Sequence, residues 1–272
     1  MILKVLLQAV GAFVGLYVLA MLWLAARQRD MIYQPDPTLS DPEQAGVPEM
    51  VPVPLRTDDG WMITGWYAPP PKRGDRATVV LFHGNSGTIA GRAFKARALL
   101  DAGYGVFLVE YRGYGGNRGR PSEAGLYADG RAVIGWLLSR GIPENRLVLY
   151  GESLGSGVAM EMTRLIQPRL VVLEGAFTSV PDLAPAYVIP PLAHLLVTDR
   201  FDNLAKVRDL SAPLLVVHGE QDTVVPVAMG HALLNAAESL KEGVFLPKGR
   251  HNDLWDWGAG PRIIDFLGRR WT

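Results

Sequence analysis

Leu147-Val148-Leu149-Tyr150-Gly151-Glu152-Ser153-Leu154-Gly155-Ser156-Gly157 joins a short apolar run to a glycine-flanked serine and then to a helix-like segment. A serine on a sharp strand-to-helix turn sits in strained backbone geometry, and its neighbours on either side must be tiny for the chain to reverse. Gly151 and Gly155 supply that room. The flanks fit such a turn: Val148 to Tyr150 reads as a buried strand, and Val158 to Ile166 as an amphipathic helix closed by Pro168. The turn is expected to expose the Ser153 hydroxyl at the carboxyl edge of a sheet. It would also aim the Leu154 amide and the helix N-terminus at negative charge formed there. A chance G-x-S-x-G in a chain with 30 glycines does not account for those flanks.

A nucleophilic serine needs a base and an acid, which on such a turn follow it in the order serine, acid, histidine. Leu214 to Val217 is an apolar run that passes through His218-Gly219-Glu220-Gln221-Asp222 into a polar loop, so Asp222 is the expected acid. Gly243-Val244-Phe245-Leu246-Pro247 reads as a last strand followed by the loop Lys248-Gly249-Arg250-His251-Asn252-Asp253, which makes His251 the base. The other four histidines have ordinary readings. His194 lies in a proline-rich stretch, His231 in an amphipathic helix, and His83 before a glycine where a buried structural histidine is common. His218 precedes the acid and is expected to support its loop. Glu174, ending the run Leu170 to Leu173, is the second candidate acid. Glu152 is expected to point elsewhere, and Asp253 to cap the following helix. A second donor to the oxyanion is expected from His83-Gly84-Asn85-Ser86-Gly87, after the strand Thr78 to Phe82. The Asn85 amide would pair with that of Leu154; a plain turn before a helix is the alternative.

These motifs resemble the α/β-hydrolase superfamily, and within it the membrane-tethered branch of Bem46-like and ABHD17-like serine hydrolases. The resemblance runs through Met31-Ile32-Tyr33, His83-Gly84-Asn85, Tyr111-Arg112-Gly113-Tyr114-Gly115 and Pro121-Ser122-Glu123-Ala124-Gly125-Leu126-Tyr127-Ala128-Asp129. It continues through the serine turn, His218 to Asp222 and His251-Asn252-Asp253. It implies an α/β-hydrolase fold, a catalytic set of Ser153, Asp222 and His251, and an oxyanion hole from Asn85 and Leu154. Two departures stand out. Glu110 replaces the aspartate usual after the strand Gly105 to Val109, and the chain has no cysteine. Relatives proposed to remove palmitate from proteins carry a cysteine-rich lipidated N-terminus, so that activity does not carry over.

In place of such an anchor, Val5 to Ala26 is apolar apart from Gln8, with Lys4 before it and Arg27 and Arg29 after. About 22 residues make roughly 33 Å of helix, enough to cross a bilayer core. The expected organisation is an anchor at 1–29, a linker at 30–50 and a catalytic domain at 51–272 with a cap near 178–210. A cleavable signal peptide ending near Val18-Leu19-Ala20 is the rival reading, disfavoured because the apolar run continues to Leu24. The flanking charges leave orientation open. Arginine in excess over lysine fits a GC-rich bacterial genome, and so an inner membrane.

About 240 residues remain for one α/β domain. With 27 basic and 27 acidic residues the net charge is zero, which argues against a nucleic-acid partner. No dinucleotide, Walker or zinc motif is present, so no cofactor or metal is expected. Strands are expected near Val51 to Leu55, Met62 to Ala68, Thr78 to Phe82, Val106 to Glu110, Leu147 to Tyr150, Leu170 to Leu173, Leu214 to Val217 and Val244 to Leu246. Alternation with helices implies a mainly parallel eight-stranded sheet, helices on both faces and an antiparallel start.

Thr178 to Leu210 interrupts that rhythm with Pro181, Pro185, Pro190 and Pro191, the place for a cap. There Ala184, Tyr187, Val188, Ile189, Leu192, Leu195 and Leu196 either line an acyl-binding mouth or pack on the sheet. The expected activity is hydrolysis of carboxylic esters or thioesters, with lipid-like substrates held near a bilayer among those expected. Peptide cleavage, acyl transfer and a non-catalytic tethered scaffold are the alternatives.

Overall fold

The computed structural model describes residues 1–71, 76–183 and 192–270. A long helix α1 (Ile2–Ile32) leads into β1 (Gln34–Pro35), β2 (Val51–Arg56), β3 (Met62–Ala68), β4 (Thr78–Phe82) and β5 (Ser86–Gly87). Then follow α2 (Ala93–Asp101), β6 (Gly105–Val109), α3 (Glu123–Ser139), β7 (Leu147–Glu152), α4 (Leu154–Met162), β8 (Leu170–Glu174) and α5 (Val180–Leu183). The chain ends through α6 (Asn203–Arg208), β9 (Leu214–Gly219), α7 (Val227–Ala236), β10 (Lys241–Leu246) and α8 (Ala259–Arg269).

Eight strands form one sheet in the order β10-β9-β8-β7-β4-β6-β3-β2. Neighbours from β6 to β10 are parallel, whereas β3 runs antiparallel to β6 and β2 antiparallel to β3. This is the mainly parallel sheet with an antiparallel start that the alternation implied. Strands β4, β6, β8 and β9 are buried along their whole length, the pattern of strands covered on both faces. At the edge, β2 buries only Val53 and Leu55 and places Pro52 and Pro54 where a missing N–H is tolerated.

Side chains alternating along the strands feed two cores. Val80 and Phe82 of β4 pack with Val133 and Leu137 of α3 and Val158 of α4 on one face. Val79 and Leu81 pack with Leu99 of α2 and Phe266 of α8 on the other. Helices therefore cover both faces, and the polar catalytic candidates are left to the carboxyl ends of the strands.

Several strands differ from the sequence reading by one to three residues at an end, and three helix boundaries differ with a physical reason. Helix α4 starts at Leu154, directly after the serine, and stops at Met162; its first turn lies close against the end of β4 at Gly155 and against the Phe201 side chain at Gly157. Helix α8 starts only at Ala259 with Gly258 at its cap, so Asp253 does not cap it. Its carboxylate instead accepts the Arg250 N–H at 2.6 Å, closing the turn that presents His251. Helix α1 continues to Ile32, since nothing from Arg27 onward breaks it.

None of the 31 residues of α1 is fully buried, and the helix is long and apolar enough to cross a membrane. The segment after it is packed: Tyr33, Val47 and Met50 are buried, and β1 pairs in parallel with β5, Gln34 opposite Ser86 and Pro35 opposite Gly87. Ala184, Tyr187, Val188 and Ile189 of the expected cap lie outside the described residues.

Candidate active site

Ser153 holds the turn between β7 and α4 at φ 49° and ψ −116°. Such a conformation costs a non-glycine residue about 1–3 kcal/mol and persists only where its surroundings impose it. They do so by close backbone approach. A Cβ on Gly151 would stand 2.5 Å from Ser156 Cα, and one on Gly155 would overlap the carbonyl oxygen of Phe82. The Ser153 N–H donates to the Glu174 carbonyl at 2.8 Å, which pins the turn to β8.

Asp222 lies after β9 and His251 after β10, so adjacent strand ends bring both to the serine. The Asp222 Oδ2 is 2.7 Å from His251 Nδ1, and His251 Nε2 is 2.9 Å from Ser153 Oγ. Burial alone would raise the Asp222 carboxyl. Hydrogen bonds from His218 and His251, and the Val225 N–H, instead hold it well below the usual carboxylate range. An ionised carboxylate only accepts, so Nδ1 of His251 carries the proton and Nε2 is free to accept the Ser153 hydroxyl. The other oxygen, Oδ1, accepts the N–H groups of Val224 and Val225 at 2.8 Å each.

Of the remaining histidines only His218 touches this chain of hydrogen bonds, its Nε2 3.3 Å from Asp222 Oδ2. His218 donates from Nε2 to the Val225 carbonyl at 2.9 Å, bracing the Asp222 loop, and His231 stacks on Phe245. His83 is fully buried, its Nδ1 2.8 Å from the Gly84 carbonyl and its Nε2 3.2 Å from Glu110 Oε1. Glu110 also accepts the Ile89 N–H at 3.0 Å, so the departure at this position ties both ends of the loop after β4 to the end of β6.

That loop carries Asn85. Its carbonyl accepts from Tyr114 Oη at 2.7 Å and from the Gln34 N–H at 2.9 Å, and its Nδ2 donates to the Ile32 carbonyl at 3.0 Å. The carbonyl and the side-chain nitrogen of Asn85 are thus tied back. Its amide, like that of Leu154, donates to no acceptor among the described residues, and Leu154 opens α4 where the first N–H groups have no helical partner.

Behind the turn lies a buried polar cluster that the motifs did not announce. Lys95 of α2 reaches Glu152 Oε2 at 2.7 Å and Glu174 Oε1 at 2.9 Å, and Arg92 reaches Glu152 Oε1 at 2.6 Å. Tyr150 Oη and Trp255 Nε1 also donate to Glu174 Oε2. Glu174, the second candidate acid, is therefore engaged away from His251. Arg92 also donates to the Ser86 carbonyl at 3.0 Å, linking the Asn85 loop to the residue before the serine. Burial would raise the Glu152 carboxyl, but the Lys95 and Arg92 charges hold it well below its ordinary value. Its ionised form therefore stabilises the fold above its unfolded value of 4.5, and that contribution is lost as pH falls below it. Lys95→Met leaves two buried carboxylates short of a cation and should destabilise by about 3–5 kcal/mol, roughly 10 °C in Tm. A near-ultraviolet thermal scan at neutral pH reads it; an unchanged Tm would mean the cluster is not structural.

Ser153 and His251 open into a cleft of about 690 Å³, walled by Phe177, Val180, Leu183, Val197 and Val225 and by residues of α1. Apolar walls around a few convergent polar groups are the usual form of a site for a small organic substrate. Among the described residues no cluster of His, Asp and Glu is arranged to hold a metal.

A family profile described as serine aminopeptidase S33 (Hydrolase_4) matches residues 73–204. The Mycobacterium tuberculosis protein Rv2307c is 36% identical over 259 residues, 94% of this chain and 89% of that protein. Bem46 of Schizosaccharomyces pombe is 35% identical over 205 residues, 71% of this chain and 67% of its own. The mouse lysophosphatidylserine lipase ABHD12 is 29% identical over 228 residues, 72% of this chain and 56% of that protein. Among solved structures the Pyrococcus furiosus esterase Pf2001 superposes with a TM-score of 0.70 at 20% identity, covering 88% of this chain and 100% of its own. The chain belongs to the α/β-hydrolase superfamily, in its Bem46-like branch, and is a serine hydrolase.

Proposed function

We propose that this chain is a membrane-anchored hydrolase of carboxylic esters or thioesters, acting through Ser153, His251 and Asp222 with an acyl-enzyme intermediate. The observation that carries this reading is the unbroken hydrogen-bond chain from Ser153 Oγ through His251 to Asp222 at the floor of an apolar cleft. In the reaction, His251 Nε2 takes the Ser153 proton as Oγ attacks the acyl carbon, and the Asn85 and Leu154 amides receive the oxyanion. The protonated imidazole, stabilised by Asp222, then gives its proton to the departing alcohol or thiol. Water, deprotonated by the same His251, releases the acid and restores Ser153.

The apolar walls favour an acyl group over a peptide, and the activities of ABHD12, a lipase, and Pf2001, an esterase, lie in the same class. Helix α1 is assigned as the anchor, with the catalytic domain outside the bilayer, and a bacterial inner membrane is the proposed location. The test is kcat/KM of the full chain across an acyl-length series of esters and matching thioesters, with Ser153→Ala as blank. Turnover rising toward long chains is expected; hydrolysis of aminoacyl amides alone would replace this reading with a peptidase.

A further inference from the structure

One wall of the cleft is not part of the α/β domain at all. It is the end of α1: Leu24, Ala25, Gln28, Met31 and Ile32 line the same cavity as Ser153 and His251. On a helix of 3.6 residues per turn, positions 24, 25, 28 and 32 fall on one face. All four are half-buried, while Leu22 and Trp23 on the flanking faces are about 60% exposed.

This contact is anchored, not incidental. Gln28 donates to the Leu196 carbonyl at 3.2 Å and accepts from the Thr198 N–H at 2.7 Å. Arg29 makes two hydrogen bonds to Asp199, at 3.0 and 3.1 Å, and Tyr33 Oη donates to the same carboxylate at 2.9 Å. Asp199 is 3% exposed, so these hydrogen bonds take the place of water around its carboxylate. The polar ties begin at Gln28, whereas Leu24 and Ala25 belong to the apolar run that ends at Ala26. If α1 spans a bilayer, the cleft begins at the depth of the outermost acyl carbons and ends at Ser153. Beside the mouth, Leu192 and Leu195 stand 57% and 66% exposed, where leucines gain by entering the lipid interface.

We propose that the Leu24, Ala25 and Gln28 face of α1 is a wall of the acyl-binding cleft, and that the acyl chain of a membrane-resident amphiphile slides along it from the bilayer to Ser153. This rests on the ester-hydrolase reading above and adds to it a substrate source and a specificity element outside the catalytic domain. A chain entering this way never passes through water, which removes the cost of exposing its methylenes.

The test uses the full chain in phosphatidylcholine vesicles with p-nitrophenyl palmitate and p-nitrophenyl acetate. Ala25→Trp fills the groove on the cleft side, and Leu22→Trp places the same ring on an outward face. The ratio of kcat/KM for palmitate to that for acetate should fall about tenfold in Ala25→Trp and stay within threefold in Leu22→Trp. A fall of less than threefold in Ala25→Trp, including an equal loss on both esters, overturns the proposal, as does an equal fall in both variants. Fluorophosphonate labelling separates the two levels. If the wild type neither labels nor hydrolyses, the ester-hydrolase reading fails and takes this one with it. If labelling persists with an unchanged ratio, only the α1 wall is lost.

Discussion

Ser153→Ala is expected to lower kcat for any ester substrate by about a million-fold and to abolish fluorophosphonate labelling, with Tm within a few degrees of the wild type. The size follows from the way such a triad works: with the nucleophile gone, the base and acid have nothing to activate, and only the oxyanion donors and the cleft still contribute. The mildness of the structural effect follows from what the side chain touches. Its Oγ is hydrogen-bonded to His251, whereas the strained turn is held through backbone groups, by Ser153 N–H to Glu174 and by the close approach of Gly155 to Phe82. Stopped-flow turnover and a label gel read the outcome. Retained labelling in the variant would remove Ser153 from the chemistry.

Asp222→Asn should cost about 10⁴-fold in kcat, again with little loss of binding. The carboxylate now fixes the His251 proton on Nδ1; an amide nitrogen at Oδ2 would face that ring nitrogen with a donor and reverse the tautomer, turning Nε2 away from its role as acceptor. Retaining an oxygen at Oδ1 preserves the bonds from Val224 and Val225, so the loop keeps its shape. The sign of the pH effect is also determined. Because the folded pKa of Asp222 lies below its ordinary 3.8, the ionised group stabilises the wild type at all pH values above that point. That stability drains away only as pH falls through the lower folded value. The variant should therefore show a smaller acid-induced loss of Tm below about pH 4. An activity within tenfold of the wild type would mean that His251 takes its orientation from elsewhere.

Much of this architecture was legible in the residues because it depends on short-range chemistry. A glycine pair around a serine, apolar runs of five or six residues and loops ending in Asp222 and His251 each state their own local geometry. Chain order then supplied the pairing among them. What stayed hidden depends on contacts between segments far apart. Lys95 reads as one polar residue on a helix until Glu152 and Glu174 arrive from β7 and β8. The pairing of Gln34-Pro35 with Ser86-Gly87 is two residues long, too short to carry a period. Asp253 reads as a cap because aspartate before a helical run usually is one, yet five residues of turn, 254–258, separate it from Ala259. The part that α1 plays in the cleft was also out of reach, since an unbroken apolar helix carries no mark of which face meets a protein.

The short parallel pairing of β1 with β5 has a consequence for how such proteins can be rebuilt. Together with the bonds from Asn85 to Ile32 and from Gln34 to Asn85, it fastens the end of α1 to the loop bearing the Asn85 amide. Residues 24–35 are therefore not an interchangeable part. A foreign apolar helix put in place of the whole segment would match it in length but would leave Asp199 without Arg29 and Tyr33 and the Asn85 loop without its outer brace. Modularity ends at Leu24, and a graft that respects it must keep everything from there onward.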